Sequence, residues 1–332
     1  MRIVEGKHIG SNEWADLVKK SPVATWFQTE EAFDFFCGLS FLEVFAYAVE
    51  VEEHIKGVVV GYIQKDGGKI KRFFSRRAII LGGPLLAEDI ADDELSLLLG
   101  TLKRGLKKKT IYIEFRSFNN YSRWRADFER CGFQYQPHYD IHVDTSSMEV
   151  VNEHLGKSRK RDIRVSMRDG ATVVVKPALS QIREYYVILN ALYKTKVKTP
   201  LFPIEFFERL AELDSSAFLL VEFGGRIIGG TVCVGLPNVA LYEMYACGED
   251  GTHKTIFPSE VATYAGLQYA AENGYGRFDM MGAGRPDDGG YGVRDFKLKF
   301  GGELLELGRY DYVCKPLLFN IGKLAVRIMK KL

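Results

Sequence analysis

The stretch GVRDFKLKFGGE, residues 292–303, places Lys297 and Lys299 between two phenylalanines, with two glycines directly after. On a helix Val293, Phe296 and Phe300 share one face, and Lys297 sits at its edge. Such a lysine can snorkel to water along an apolar strip. It can also be a fixed cation that lowers the barrier to a tetrahedral oxyanion. Upstream, ALYEMYAC carries Tyr242, Glu243 and Tyr245 on a strand. Alternation puts Glu243 and Tyr245 on one face. There they either meet solvent or serve as ligands and proton carriers for an attacking amine. Asp279 in FDMMG is a second candidate base. The glycine-rich run 281–292, MGAGRPDDGGYG, does not match a phosphate-binding P-loop. It reads as a mobile cleft loop, with Arg285 and Arg294 available for a phosphate or carboxylate. KSRKRDIRVSMR brings Lys157, Arg159, Lys160, Arg161 and Arg164 together against one acid, Asp162. It is either a solvated basic helix or a surface that tracks nucleic-acid phosphates.

The elements that position these residues must come from 332 residues, which suit two domains better than one. The chain is 46% hydrophobic and 13% aromatic, enough for packed cores. Its net charge of +2 advertises neither nucleic acid nor membrane over the whole surface. Five scattered cysteines, none in a CxxC pair, read as reduced thiols. His138 and His142 lie in QYQPHYDIHVD, which alternates like a strand, so no metal site is expected. No signal peptide precedes the first domain, and no apolar run has the length of a membrane span, so a cytoplasmic protein is expected. The last run, PLLFNIGKLAVRIMKKL, forms an amphipathic helix that ends in Lys330 and Lys331. Its apolar face packs on a core, or makes a weak contact with the inner face of a membrane.

Strand and helix signals alternate twice along the chain. In the first half, LEVFAYAVE, IKGVVVGYIQ, a KDGG turn with KIKRFF, AIILGGPLL and TIYIEFRSF read as extended. DDELSLLLGTLKRGLKKK between them is helical, with acids in its first turn and lysines in its last. GFQYQPHYDIHVD then reads as one strand. In the second half, AFLLVEF and RIIGGTVCVG flank a Gly224–Gly225 turn. A helix from Pro258 to Gly274, the strand RFDMMG and a closing strand ELLELGRYDYV follow. Asp127–Phe128 and Asp295–Phe296 recur about half a chain apart, as a duplicated unit requires. Anchored on that pair, Lys297 corresponds to Glu129; anchored on the glycine that follows, to Phe128.

This order resembles the GNAT acyltransferase fold, and two such domains in one chain resemble the Fem family of aminoacyl transferases. Three stretches carry the likeness: LGKSRKRDIRVSMRDGATVVV (155–175), PSEVATYAGLQYAAENGYGRFDMMGAG (258–284) and YGVRDFKLKFGGEL (291–304). The resemblance implies two tandem GNAT-like α/β domains, each a mixed, mostly antiparallel sheet flanked by helices. Residues 1–150 form the first, rejoined by a helix over 315–332, and residues 151–314 form the second, which carries the substrate cleft. It implies transfer of an amino acid from aminoacyl-tRNA to an amine of a peptidoglycan or other envelope precursor, without a cofactor. Phe296 and Lys297 match the family's Phe-Lys pair, and Glu114 its first-domain acid. The basic run at Lys157 then meets the tRNA acceptor stem, and Lys196, Arg285 and Arg294 meet the acceptor's anionic groups. Two departures stand out. Phe33 and Phe36 occupy the helix where a lysine is expected, and YKTKVKTPLFPIEFF offers Lys196 or Lys198 and Phe206 where arginine and tyrosine are expected. GEDGTHKTIFPSE lacks the acyl-CoA signature, which leaves an acyl-CoA or acyl-carrier N-acyltransferase acting on an amino sugar as the alternative. An inactive RNA-binding or scaffold homologue is a further one, and Lys297 speaks against it.

Overall fold

Two runs that alternate like single strands are each broken in the middle. A computed structural model describes residues 1–64, 76–288 and 292–329. In it GFQYQPHYDIHVD forms β7 (Gln134–Gln136) and β8 (Tyr139–Asp144), parted at Pro137. Proline has no N–H to give to a ladder, so a continuous central strand is barred there. ELLELGRYDYV forms β14 (Glu303–Glu306) and β15 (Arg309–Val313), parted at Gly308, whose φ of 74° suits glycine. The halves of each run join different sheets. β8 pairs with β14 and with β13 (Arg277–Asp279), whereas β15 pairs with β7 and with β6 (Tyr112–Arg116).

The chain accordingly divides into Met1–His138 with Leu307–Leu332, and Tyr139–Glu306. The joints lie at 138/139 and 306/307, not near 150 and 314. The C-terminal helix, Pro316–Met329, falls in the first unit. Lys330, Lys331, the KDGG turn and the KIKRFF strand lie outside the described residues.

The first unit's sheet runs β1 (Arg2–Glu5), β2 (Leu42–Val51), β3 (His54–Gln64), β4 (Arg77–Leu81), β6, β15, β7, with β5 (Leu85–Leu86) on β3. Besides the C-terminal helix, its helices are α1 (Ser11–Lys20), α2 (Glu30–Cys37), α3 (Asp92–Leu106) and α4 (Arg125–Arg130). α3 presents Leu98, Leu99 and Leu102 to Ile80, Ile113 and Phe115, and carries acids at its start and Lys103 and Arg104 at its end. The lysine-rich end of that helix is structural. Lys103 donates to the Cys131 carbonyl, and Lys109 pairs with Glu43 at 2.8 Å.

The second sheet runs β14, β8, β13, β12 (Ala240–Gly248), β11 (Arg226–Leu236), β10 (Ser216–Phe223), β9 (Thr172–Val175). Its helices are α5 (Met148–His154), α6 (Lys157–Arg168), α7 (Leu179–Leu192), α8 (Ile204–Leu210), α9 (Pro258–Glu272) and α10 (Gly292–Leu298). Ile141, Leu241 and Phe278 from the sheet pack with Ala265, Leu267 and Ala270 of α9 in one core.

The two units repeat one plan. Each holds a parallel pair, β4 with β6 and β12 with β13, joined by a crossover helix, α3 or α9. Asp127–Phe128 lies on α4 and Asp295–Phe296 on α10. A left-handed glycine follows each helix, Gly132 at φ 85° and Gly301 at φ 87°. A Cβ on Gly301 would stand 2.6 Å from the His154 carbonyl oxygen, whereas one on Gly251, also left-handed at φ 82°, meets nothing within 4 Å. Alanine is strained by the backbone conformation at both positions, but only at Gly301 does it also clash with backbone. Gly301→Ala is therefore expected to lose about 1–3 kcal/mol more stability than Gly251→Ala in urea unfolding. Equal losses would contradict this packing of the segment after α10.

Candidate active site

β12 and β13 run parallel over Ala240–Tyr242 and Arg277–Asp279, and no register pairs extend beyond Tyr242 and Asp279. At that point β12 is also bulged. Cys233 faces Glu243 and Val232 faces Tyr245, so Met244 has no register partner on β11. One extra residue reverses the alternation. Glu243 points toward α9, where its carboxylate accepts from Thr263 Oγ1 at 3.1 Å and Thr231 Oγ1 at 3.2 Å. The ring of Tyr245 lies against Phe207 at 5.0 Å and Tyr193 at 6.0 Å. The expectation that Glu243 and Tyr245 share a face is thus corrected.

Lys297 reaches the end of β13 from α10. Its Nζ donates to the carbonyls of Met280 at 2.5 Å, Met281, and Gly282 at 3.1 Å. Three N–H groups meet three acceptors, so the ammonium is saturated by backbone. Met281 at φ 48° and Gly282 at φ 43° are both left-handed in this turn. Burial lowers the Lys297 pKa, and the charges of Glu243, Asp140 and Asp279 oppose the shift. Burial raises the pKa of Glu243, while Lys297 and the two threonine hydroxyls pull it back. Lys297 is therefore no snorkelling surface residue. Val293, expected on the apolar face, is 47% exposed, whereas Phe300, beyond the end of α10 at Leu298, is buried.

Asp279 is wholly buried, and its Oδ1 accepts from the Met281 N–H at 2.9 Å. Across the sheet Tyr242, Asp279 and His142 form one row of register partners. His142 Nε2 stands 3.1 Å from Asp279 Oδ2. Asp140, two residues before His142 and buried, faces the same cluster, and the nearest ligand atoms of all three lie within 4.8 Å of one another. Burial and then the neighbouring Asp279 charge push the Asp140 carboxyl well above the usual range. Burial also raises the Tyr242 hydroxyl. In the sequence His142 reads as a strand residue and Asp140 is not singled out, although their two-residue spacing on a strand signals a shared face.

The other candidates scatter. Phe296 packs on Phe300 at 5.2 Å and lies 4.5 Å beneath the Arg159 guanidinium. Arg159 is 6% exposed and pairs with Glu260 at 2.6 Å, so it belongs to the core of this unit and not to a phosphate-tracking surface. Lys157, Arg161, Arg164 and Arg168 are exposed and share one face of α6, with Lys160 half-buried beside them. Lys196 is exposed on the π-helical turn Tyr193–Val197 after α7. Arg285 is exposed, whereas Arg294 braces the loop by donating to the carbonyls of Ala283 at 2.8 Å and Arg285 at 2.5 Å. The glycines at 289 and 290 lie outside the described residues.

Glu114 belongs to the first unit and pairs there with Arg116 at 2.5 Å and Arg309 at 3.5 Å. Burial works to raise its pKa, but the arginines at 116, 309 and 77 outweigh it and hold the carboxyl at about 2. Phe33 and Phe36, which replace the expected lysine, are buried.

Comparison with solved structures finds the same fold in several proteins. FemX superposes with a TM-score of 0.73 at 15% identity, covering 97% of this chain and 99% of that one. L-PGS from Bacillus licheniformis gives 0.58 at 14%, covering 96% and 99%. A tandem GNAT protein from the clavulanic acid biosynthesis pathway gives 0.57 at 10%, covering 94% and 99%. At these identities the likeness concerns the fold. The model of the FemAB family matches residues 225–327, which contain Glu243, Asp279 and Lys297. The resemblance to the Fem family thus holds over much of the run that builds this site. No curated protein matches the sequence. Among the described residues no helix is long and apolar enough to cross a membrane.

The depressed Glu114 carboxyl gives a pH signature. Its folded pKa lies below the unfolded value near 4.5, so its contribution is complete above pH 4.5 and vanishes as pH falls toward 2. The shift sets an upper bound of about 3 kcal/mol. In urea unfolding, the deficit of Glu114→Gln relative to wild type should shrink steadily between pH 5 and about pH 2. A deficit that stays constant with pH would show that the arginines do not hold this carboxyl down.

Proposed function

We propose that the parting of β12 and β13 is the reaction centre of an amide-forming aminoacyl transferase. The enzyme moves an amino acid from aminoacyl-tRNA to an amine of a peptidoglycan or other envelope precursor. The observation that carries this reading is the coincidence of the FemAB match with the residues gathered at the parting.

In the reaction the acceptor nitrogen attacks the ester carbonyl carbon of the charged tRNA. A C–N bond forms, the C–O bond to the terminal ribose breaks, and the amine proton passes by way of a base to the departing ribose oxygen. Glu243 is assigned as that base. Its burial-raised pKa brings it nearer neutrality, where a general base works best. Lys297 supplies positive charge beside the developing oxyanion and holds the carbonyls of 280–282 in place. Its hydrogen bonds are already made, so its role is a field and a brace. Lys196, on the turn whose Tyr193 packs against Tyr245, and Arg285, in the loop after β13, are assigned to the acceptor's anionic groups. The exposed face Lys157–Arg161–Arg164–Arg168 is assigned to the tRNA phosphates.

The test is a radiolabel assay offering charged tRNA and acetyl-CoA in parallel, with lipid-linked and nucleotide-linked precursors as acceptors. Label should pass from charged tRNA, and Glu243→Gln, which keeps an acceptor for both threonines, should lower kcat about 10²-fold with KM little changed. Transfer from acetyl-CoA alone would replace this reading with the acyl-CoA one. Independently, the triple change Lys157→Ala, Arg161→Ala, Arg164→Ala should weaken tRNA binding. It should also flatten the salt dependence, by about one unit of slope for each phosphate no longer neutralised. Unchanged binding and slope in a filter assay would detach α6 from tRNA.

A further inference from the structure

The cluster of Asp140, His142 and Asp279 is not used by the transfer chemistry above, and its buried charge does not balance. Three carboxyl groups, those of Asp140, Asp279 and Glu243, act on one ammonium, Lys297. Arg277 adds a second positive charge, 4.0 Å from Asp279 Oδ2. With the three acids ionised, one negative charge remains inside the unit. Buried charge in that state is costly unless it is paired, protonated or bound to a metal.

The polar atoms tell the same story. Asp279 is wholly buried, and one of its oxygens, Oδ1, is held by the Met281 N–H. The other, Oδ2, has no well-aligned partner, and neither has His142 Nε2, although the two stand 3.1 Å apart, and the Asp140 carboxyl lies within hydrogen-bonding reach of the Asp279 carboxyl. Nε2 presents a lone pair or an N–H according to the tautomer, and the two buried atoms face each other beside the carboxyl of Asp140 without the alignment that would join them. Unsatisfied polar atoms at such depth are uncommon, and an ion is one of the few things that satisfies several at once.

We propose that Asp140, His142 and Asp279 form a binding site for one first-row divalent cation of the zinc or manganese class. The donor set is one imidazole and two carboxylates, which suits these ions better than the all-oxygen shells of calcium and magnesium. Ligands of such an ion lie about 2.0–2.2 Å from it and hence about 3–4 Å from one another. The separations here, up to 4.8 Å, close to that range with sub-ångström side-chain movement. A dication more than offsets the one surplus negative charge, and it gives Oδ2 and Nε2 a common partner. Asp140 and His142 alternate along β8, and Asp279 is the register partner of His142 on β13, so the ion would pin the two strands together just where β12 departs. The inference stands apart from the transfer reaction, since ion binding is measured without substrate.

The test strips the full-length protein with chelator, then dialyses it against zinc and, separately, manganese. Bound ion is counted by mass spectrometry, and affinity is taken from titration calorimetry. Wild type should retain about one ion per chain, with a rise in melting temperature on binding. Asp279→Asn keeps the Oδ1 acceptor for Met281 and should weaken binding by on the order of tenfold or more. His142→Gln, at a partly exposed position, should do the same, and it decides alone if the buried variant does not fold by circular dichroism. If wild type takes up neither ion, the cluster instead balances its charge with a shared carboxyl proton and the site is refuted. Equal retention by wild type and His142→Gln would place the bound ion elsewhere and refute it as well.

Discussion

An ammonium taken out of water has to be matched, and at Lys297 the match is made by backbone. Three consecutive carbonyls, from Met280 to Gly282, turn inward to take its three N–H groups, and two left-handed residues make that turn. Much of the second unit follows from this arrangement. The chain end of β13 is fixed away from β12, α10 is tied to the strand it follows, and a positive charge is held among Glu243, Asp140 and Asp279. Removing the charge would leave three carbonyls unsatisfied and three acids with only Arg277 to offset them, so function and stability share the same group.

The duplicated plan sharpens the point, because the first unit keeps the frame without the charge. Its short helix α4 carries Phe128, wholly buried, and Glu129, paired on the surface with Arg125 at 3.1 Å. Its parallel pair, β4 with β6, holds instead a carboxylate among arginines, Glu114 with Arg116 and Arg309. An acid held near pKa 2 is a poor proton acceptor at neutral pH, whereas Glu243, raised by burial, is a better one. The same scaffold therefore supports an ion cluster in one copy and a candidate reaction centre in the other.

Local chemistry was legible in the sequence, and long-range pairing was not. Lys297, Glu243 and Asp279 stood out by residue type and setting, and the duplicated Asp-Phe pair located the equivalent short helices. The joints were misplaced because Pro137 and Gly308 divide runs whose polar-apolar alternation continues across them, and alternation says nothing about which sheet a strand enters. The same blindness hid Asp140 and His142, which become neighbours of Asp279 only because β8 lies beside β13. Tyr245 was put on the wrong face because the bulge at Met244 is set by pairing with β11 and leaves no mark in the local sequence. Arg159 looked like its basic neighbours on α6, but Glu260 from α9 and two phenylalanines draw it inward. Charge in a run predicts exposure only until a distant partner appears.

The central claim, that the parting of β12 and β13 is where acyl transfer takes place, is tested most directly by a crystal structure with a non-hydrolysable aminoacyl-adenosine bound. Density for the aminoacyl carbonyl is predicted beside Glu243 and the Met280–Gly282 turn, with the β4–β6 pair of the first unit unoccupied. Density for the ligand at Glu114 and the β4–β6 pair, with the second unit's parting unoccupied, would contradict it.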